Sequence, residues 1–365
     1  MLDLIKIRKE LHKIPELAFE EFKTKEYLIN VLETFKDIKM HTFDFPGILV
    51  EYSHGKGEYK LFRSDMDALP IKEETGCNFS SEHPGKMHAC GHDMHMTILI
   101  GLIERVIREN LEQNLLFLFQ PAEEGKGGAK RIIETGVLDK YEISEAYALH
   151  VKGDIPVGTV SSRSGIFFAN TEEVDVIFNG RSAHVALAEK GIDALYAGFE
   201  FYRIVNEKIK VNFPDQKNIL CKFGRMEAGS VRNAVAANCI MEGTLRALET
   251  DDLKKIERII KNCAQIVSEK IGVQWKVNIF NFYTSVINNK TLYQRLLSRL
   301  GNIKFEPGKI MMGGEDFGFF AKKYKGLLIL LGANQGEEQD LHSSGFLPDE
   351  KAIEVGVQLF RSLIQ

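Results

Sequence analysis

Leu115-Leu116-Phe117-Leu118-Phe119-Gln120-Pro121-Ala122-Glu123-Glu124 is an apolar run that stops at a proline and opens onto two carboxylates. A short apolar run closed by proline reads as a strand, and here the strand delivers charged groups at its carboxyl end. On either side the pattern alternates. Gly47–Tyr52, Tyr59–Arg63 and Ala146–Val151 read as strands, whereas Met94–Arg108 and Gly128–Thr135 read as helices. The chain opens with two more helices. Leu4, Ile7, Leu11 and Ile14 recur at helical spacing until Pro15 ends the run, and Glu20–Phe35 carries a second apolar stripe. Strands alternating with helices predict an α/β domain whose sheet is flanked by helices.

From about Thr171 the rhythm changes. Glu172–Asn179, Ile219–Met226, Cys239–Arg246 and Val273–Phe282 read as strands, with Gly191–Lys210 and Asp251–Ile271 as helices. Thr250 is the expected N-cap of the latter, ahead of Asp251 and Asp252. The order β-α-β-β-α-β is the ferredoxin-like arrangement, complete in itself. Afterwards α/β material resumes: helices over Leu292–Leu300, Asp316–Lys323 and Lys351–Leu363, and a strand over Leu327–Gly332. The expected architecture is a catalytic α/β domain made of residues 1–165 and 282–365, interrupted by a ferredoxin-like lid domain of residues 166–281. Two domains in succession is the alternative, but the C-terminal part is short for a core of its own.

Composition narrows the function classes. The chain has 365 residues, with 47 Lys+Arg against 51 Asp+Glu, a net charge of −4 that argues against a broadly basic, nucleic-acid-binding surface. Hydrophobic residues at 44% and charged ones at 27% are ordinary for a globular protein. No apolar run approaches the roughly 18 residues of a membrane span, and Met1–Glu10 lacks a signal-peptide core. Five scattered cysteines do not make a disulfide framework. The expectation is a cytoplasmic protein with free thiols, in which Cys77, Cys221, Cys239 and Cys263 are core residues.

Cys90 is different. His88-Ala89-Cys90-Gly91-His92-Asp93-Met94-His95 holds three of the ten histidines in eight residues. A thiolate and an imidazole two residues apart suit zinc and its transition-metal neighbours. Glu123 and Glu124 stand at the mouth of the predicted sheet, where one can ligate a cation and the other serve as general base. A structural zinc site is usually closed by four Cys or His ligands, so a spare carboxylate favours hydrolysis. Asp65 and Asp67 flank Met66, face the same way if extended, and are placed to orient a ligand histidine. The predicted strand from Ala146 runs into His150, and His342 follows the predicted strand Leu327–Gly332 after a loop. In the lid, His184, Asn233 and Arg246 are weaker candidates, Arg246 because a guanidinium binds carboxylates in bidentate fashion. A cysteine hydrolase built on Cys90 leaves the glutamate pair and the histidines unexplained, and no phosphate loop or dinucleotide fingerprint is present.

These motifs, with Arg8…Leu11-His12…Pro15-Glu16, Asp65-Met66-Asp67-Ala68-Leu69-Pro70, Gly313-Gly314-Glu315-Asp316-Phe317 and Leu341-His342, resemble the amidohydrolase branch of the zinc-type metallopeptidases and aminoacylases related to carboxypeptidase G. The resemblance spans nearly the whole chain in family order. It implies a metal-binding α/β domain with an inserted lid. It also implies Cys90, His92, Glu124, His150 and His342 as ligands of two divalent metal ions (zinc, manganese, cobalt or nickel). Glu123 matches the general base, and Asp67 the aspartate supporting the ligands. His184 matches a lid histidine that steadies the tetrahedral intermediate, often in the partner subunit's site, and Asn233 and Arg246 match lid residues that hold the substrate carboxylate. The implied activity is hydrolysis of the amide bond of a small-molecule N-acyl amino acid by a homodimer joined through the lid, with neither nucleic acid nor membrane as partner. Glu21-Phe22-Lys23-Thr24 and Met87–Met96 look most like the branch members that deacetylate N-acetyl-diaminopimelate in lysine biosynthesis. Hippurate-type and other N-acyl amino acid amidohydrolases are the alternative. The chain departs from classical dizinc relatives in having Asp65 where they have His, and from its own branch in lacking a proline-histidine pair after His184.

Overall fold

A computed structural model describes residues 1–334 and 336–365. The elements are α1 (Leu4–Lys13), α2 (Phe22–Leu32), β1 (Lys39–Thr42), β2 (Ile48–Tyr52), β3 (Tyr59–Asp65), α3 (His92–Arg108), β4 (Asn114–Gln120), α4 (Gly128–Glu134), β5 (Ile143–Pro156), β6 (Thr159–Ser162) and β7 (Gly165–Phe168). There follow β8 (Asn170–Asn179), α5 (Ala194–Asn212), β9 (Ile219–Ala228), β10 (Asn238–Ala247), α6 (Thr250–Ile271) and β11 (Gln274–Tyr283). The chain closes with β12 (Val286–Asn288), α7 (Lys290–Arg299), β13 (Lys304–Pro307), α8 (Gly318–Lys323), β14 (Lys325–Asn334) and α9 (Lys351–Ile364).

The chain divides into two compact units. The first comprises Met1–Phe167, Val286–Ile310 and Glu315–Gln365, and the second Phe168–Ser285 and Met311–Gly314. Met311–Gly314, which the sequence reading gives to the large domain, groups with the second unit.

The first unit is built on an eight-stranded sheet in the order β1-β2-β4-β3-β5-β14-β6-β13. Its central strands β4, β3, β5 and β14 run parallel. Every residue of β4 is buried, which is why Leu115–Phe119 can be apolar without alternation. The helix α3 lies on this sheet with Met94, Met96, Ile98, Leu99, Ile100, Leu102 and Ile103 excluded from solvent, so it carries a broad apolar surface rather than one stripe. It begins after Gly91, whose φ of 78° is left-handed and whose missing Cβ would stand 2.4 Å from Val151 Cγ2. Both facts tie the Cys90–His92 bend to glycine.

The second unit has the order β8-α5-β9-β10-α6-β11, and its antiparallel sheet runs β11-β8-β10-β9. This is the ferredoxin-like topology. Val174, Val176, Phe178, Phe201, Leu245, Ile256 and Ile260 form its core. Two expectations need correction. Thr250 is the first residue of α6, not its N-cap; Glu249 occupies that position without a side-chain bond, and Thr250 Oγ1 instead donates to Asn170 Oδ1 at 3.2 Å. Cys77 is only half-buried, in a polar turn near Glu73 and Ser80, whereas Cys221, Cys239 and Cys263 are core thiols. The strands β1, β6, β7, β12 and β13 have three to four residues each, too short for a periodicity signal.

Candidate active site

The site gathers at the carboxyl end of the parallel strands, where open α/β sheets place their chemistry. Asp65 ends β3, the glutamate pair follows β4, and His150 sits on β5 opposite Leu330 of β14. Cys90 and His92 lie at the start of α3. His342 comes from the loop after β14, where its φ of 63° is left-handed and its N–H donates to Ala89 O at 2.9 Å.

The five expected ligands converge. Cys90 Sγ is 3.3 Å from His150 Nε2, and His342 Nε2 is 3.2 Å from Glu124 Oε1. Donor atoms of Cys90, His92 and His150 lie within 4.8 Å of one another, as do those of Cys90, Glu124 and His342. The two triads share Cys90. His150 donates from Nδ1 to Val151 O at 2.7 Å, which leaves the Nε2 lone pair facing the thiol. His92 is fully buried, and neither ring nitrogen is in a well-aligned hydrogen bond; Nδ1 faces Asp67 Oδ1 at 3.4 Å and Asp65 Oδ1 at 3.8 Å. Glu124 Oε1 is likewise buried without a properly directed donor. Buried polar atoms left in this condition are rare, and a cation would satisfy them together. The donor set of thiolate, imidazole and carboxylate therefore fits a divalent transition metal.

The electrostatics agree. Burial disfavours charge on His92, yet Asp65, Asp67 and Glu124 outweigh it and raise its pKa to about 10, so the field here favours positive charge. Burial, followed by Glu124 and Glu123, pushes the Cys90 thiol well up, so its ionisation needs a cation beside it. Burial and then His92 lower His150 to about 4, leaving a neutral imidazole. Glu123 is pushed well above the usual carboxylate range by burial, then by Glu315, Glu124, Asp316 and Asp67. On Glu124 burial acts upward but the approach of His342 and His92 brings it below its ordinary value. Two adjacent glutamates are thus driven apart, the pattern expected of a proton carrier beside a ligand.

Asp67 does more than face His92. Its Oδ1 accepts from Glu123 N at 3.0 Å and its Oδ2 from Glu124 N at 2.9 Å. Asp65 Oδ1 pairs with His95 Nδ1 at 2.5 Å, while His95 Nε2 accepts from Val151 N at 2.8 Å. With both nitrogens engaged, His95 is a structural histidine.

Several residues to which the sequence reading assigned no role complete the setting. Arg63 is entirely buried. Its Nη1 donates to Asp65 Oδ2 at 2.8 Å, its Nη2 to Asp316 Oδ1 at 2.7 Å, and its Nε to Gln120 Oε1 at 2.8 Å, with Glu315 Oε1 3.3 Å from Nη2. One guanidinium therefore offsets three acids next to Glu123. β3 also carries Lys60, Ser64 and Asp65, so no local pattern singles Arg63 out. Behind α3, Asp93 Oδ2 accepts from Arg8 Nε at 2.9 Å and meets His12 Nδ1 at 2.8 Å, while His12 Nε2 meets Glu73 Oε1 at 3.2 Å. Burial opposes charge on His12, but Asp93 and Glu73 prevail and raise it to about 9. His12, Glu73 and Cys77 are thus an ion-paired cluster around an imidazolium.

The remaining candidates lie in the second unit. His184 is exposed, its Nδ1 accepting from Ala186 N at 3.1 Å, and Val185 N donates to Asn233 O, which makes His184 and Asn233 neighbours. Arg246 stands on β10 between Leu220 and Thr171, half-buried.

Residues 61–365 match the profile of peptidase family M20/M25/M40. The chain belongs to this family and is a hydrolase. It is 37% identical over 98% of its length to the N-acetyldiaminopimelate deacetylase of Bacillus subtilis, covering 96% of that protein. The enzyme of the same name from Streptococcus uberis is 36% identical, with 100% of this chain and 99% of that one aligned. Among solved structures, one described as an aminohydrolase from methicillin-resistant Staphylococcus aureus superposes with a TM-score of 0.90 at 28% identity, over 99% of this chain and 95% of that one. A dinuclear metal-binding M20 peptidase from Bacillus subtilis gives a TM-score of 0.84 at 28% identity, over 99% and 96%.

Proposed function

We propose that the chain is a divalent-metal deacetylase that hydrolyses N-acetyl-LL-diaminopimelate to acetate and diaminopimelate, a step of lysine biosynthesis. The observation that carries the hydrolytic reading is the glutamate pair. Asp67 holds both backbone amides; Glu124 faces the donor set, and Glu123 is the buried neighbour whose proton affinity is raised. The named relatives, similar over nearly their full length, favour the diaminopimelate substrate.

In this reading Cys90, His92, Glu124, His150 and His342 would hold two divalent metal ions, with Cys90 belonging to both clusters of donor atoms. The bound metals supply Lewis acidity and make water a stronger acid. Glu123 takes a proton from the attacking water as the oxygen closes on the acyl carbon. It then delivers that proton to the leaving nitrogen as the carbon–nitrogen bond breaks. Asp67 keeps the base and the ligand at a fixed spacing. From the resemblance, His184 donates toward the developing oxyanion, and Asn233 and Arg246 bind the substrate carboxylate.

The proposal extends to a cytoplasmic homodimer joined through the second unit. β9 lies at the edge of its sheet, and Phe199, Tyr202 and Met226 line a groove beside it with their side chains substantially exposed. An open edge strand with apolar neighbours suits pairing with a second copy. Among the described residues no helix is long and apolar enough to cross a membrane.

The test is a metal-reconstituted assay on N-acetyl-LL-diaminopimelate, hippurate and N-acetyl amino acids. Preference for the first by kcat/KM, abolished by chelator and restored by metal, is expected. Preference for hippurate would move the chain to the alternative substrate class, and chelator-resistant turnover would refute the metal reading.

A further inference from the structure

Glu21 is a fully buried acid immediately before α2, and nothing in the hydrolytic scheme uses it. Its Oε1 accepts from Ala122 N at 2.8 Å. Ala122 has a φ of 57°, a left-handed conformation that L-residues rarely adopt because Cβ crowds the following carbonyl oxygen. The turn cannot easily relax. Ala122 O accepts from Gly128 N at 2.9 Å, and a Cβ on Gly128 would stand 1.7 Å from Pro121 O. The next two amides, Glu123 N and Glu124 N, go to the two oxygens of Asp67. Three consecutive N–H groups are therefore caught by two buried carboxyl groups from different parts of the chain. The same N-terminal segment also grips the Asp67 arm, because Ala68 N donates to Glu16 O at 2.8 Å.

We infer that Glu21 is a positioning residue for the reaction: by accepting the Ala122 amide it holds the left-handed turn that aims Glu123 and Glu124. The inference rests on the hydrolytic reading above. Asp67 fixes the amides of Glu123 and Glu124 but not that of Ala122, and Glu21 supplies the acceptor for this third N–H. A misplacement of 1 Å at reacting groups can cost about a hundredfold in rate. What matters is the reach of the acceptor, not its charge. Burial, then Asp67, raises Glu21 to about 8, and a glutamine carbonyl oxygen of the same reach can accept the same N–H.

The experiment compares Glu21→Gln with Glu21→Asp, which keeps the acid but withdraws the acceptor by one methylene. Metal content, thermal midpoint, kcat and KM on N-acetyl-LL-diaminopimelate are measured for both. Amide hydrogen exchange of the peptide containing Ala122 is followed on chelated protein. Glu21→Gln is expected to keep kcat within roughly threefold. Glu21→Asp is expected to fold and load metal, to lose roughly tenfold or more in kcat with KM within about twofold, and to exchange Ala122 faster. The order Gln above Asp is the reverse of what a requirement for charge gives. A Glu21→Asp enzyme with near-wild-type kcat overturns the inference, as does a glutamine enzyme equally impaired. A Glu21→Asp chain that fails to fold also overturns it, in favour of a purely structural role. Glu123→Gln runs alongside. If that variant stays active the hydrolytic reading has failed; if it is inactive while Glu21→Asp is not, only the positioning role has.

Discussion

Cys90 Sγ lies 3.3 Å from His150 Nε2, and the same sulfur belongs to both clusters of donor atoms in the site. Losing it should therefore empty both positions together. Cys90→Ala is expected to carry little metal after reconstitution, measured by elemental analysis, whereas His342→Ala should retain close to half. Full metal content in Cys90→Ala would refute ligation by the thiol.

Glu123→Gln should bind metal normally and lose about 10²–10⁴-fold in kcat, the usual worth of a general base. The measurement is steady-state turnover on enzyme of verified metal content. Turnover within a few-fold of wild type would remove Glu123 from the proton path.

His12 links stability to pH. Its folded pKa, about 9, exceeds the ordinary value of 6.5. The folded chain thus binds the proton more tightly than the unfolded one. The resulting stabilisation is complete below 6.5 and disappears as pH rises through 9. Thermal midpoints of wild type and His12→Gln should differ most at pH 6 and converge above pH 9. A gap independent of pH would mean that His12 acts through packing alone.

If His184 serves the partner subunit's site, inactive subunits should complement. Mixing Glu123→Gln with His184→Ala chains is expected to restore up to about a quarter of the wild-type activity, since half of the dimers are mixed and each has one intact site. No recovery in verified mixed dimers would place His184 in its own subunit's reaction. Phe199→Glu should shift the chain to monomer in sedimentation velocity, and an unchanged dimer would remove that groove from the interface.

The sequence was most informative where chemistry needed a local pattern. The Cys90–His92 bend, the glutamates after β4 and the β-α-β-β-α-β order could all be read because each is written in consecutive residues. Arg63, Glu21 and His12 could not. Each works by reaching a group far along the chain: Arg63 to Asp316, Glu21 to Ala122, His12 to Asp93. A buried ion pair between distant positions leaves no periodicity in either segment. Cys77 departs from expectation for a related reason: a lone thiol reads as core by default, and its polar surroundings come from the folded turn.

The position of β14 also bears on how the molecule is made. Residues 325–334 fill the gap between β5 and β6 in the large sheet, although they follow the whole inserted unit in the chain. The ferredoxin-like elements, by contrast, are contiguous in sequence and can pair soon after they emerge. Synthesis therefore offers the inserted unit the chance to fold before the unit that surrounds it, while the larger sheet stays split, with an apolar seam exposed, until β14 arrives. C-terminal truncations should yield chains with a folded insert and an aggregation-prone remainder.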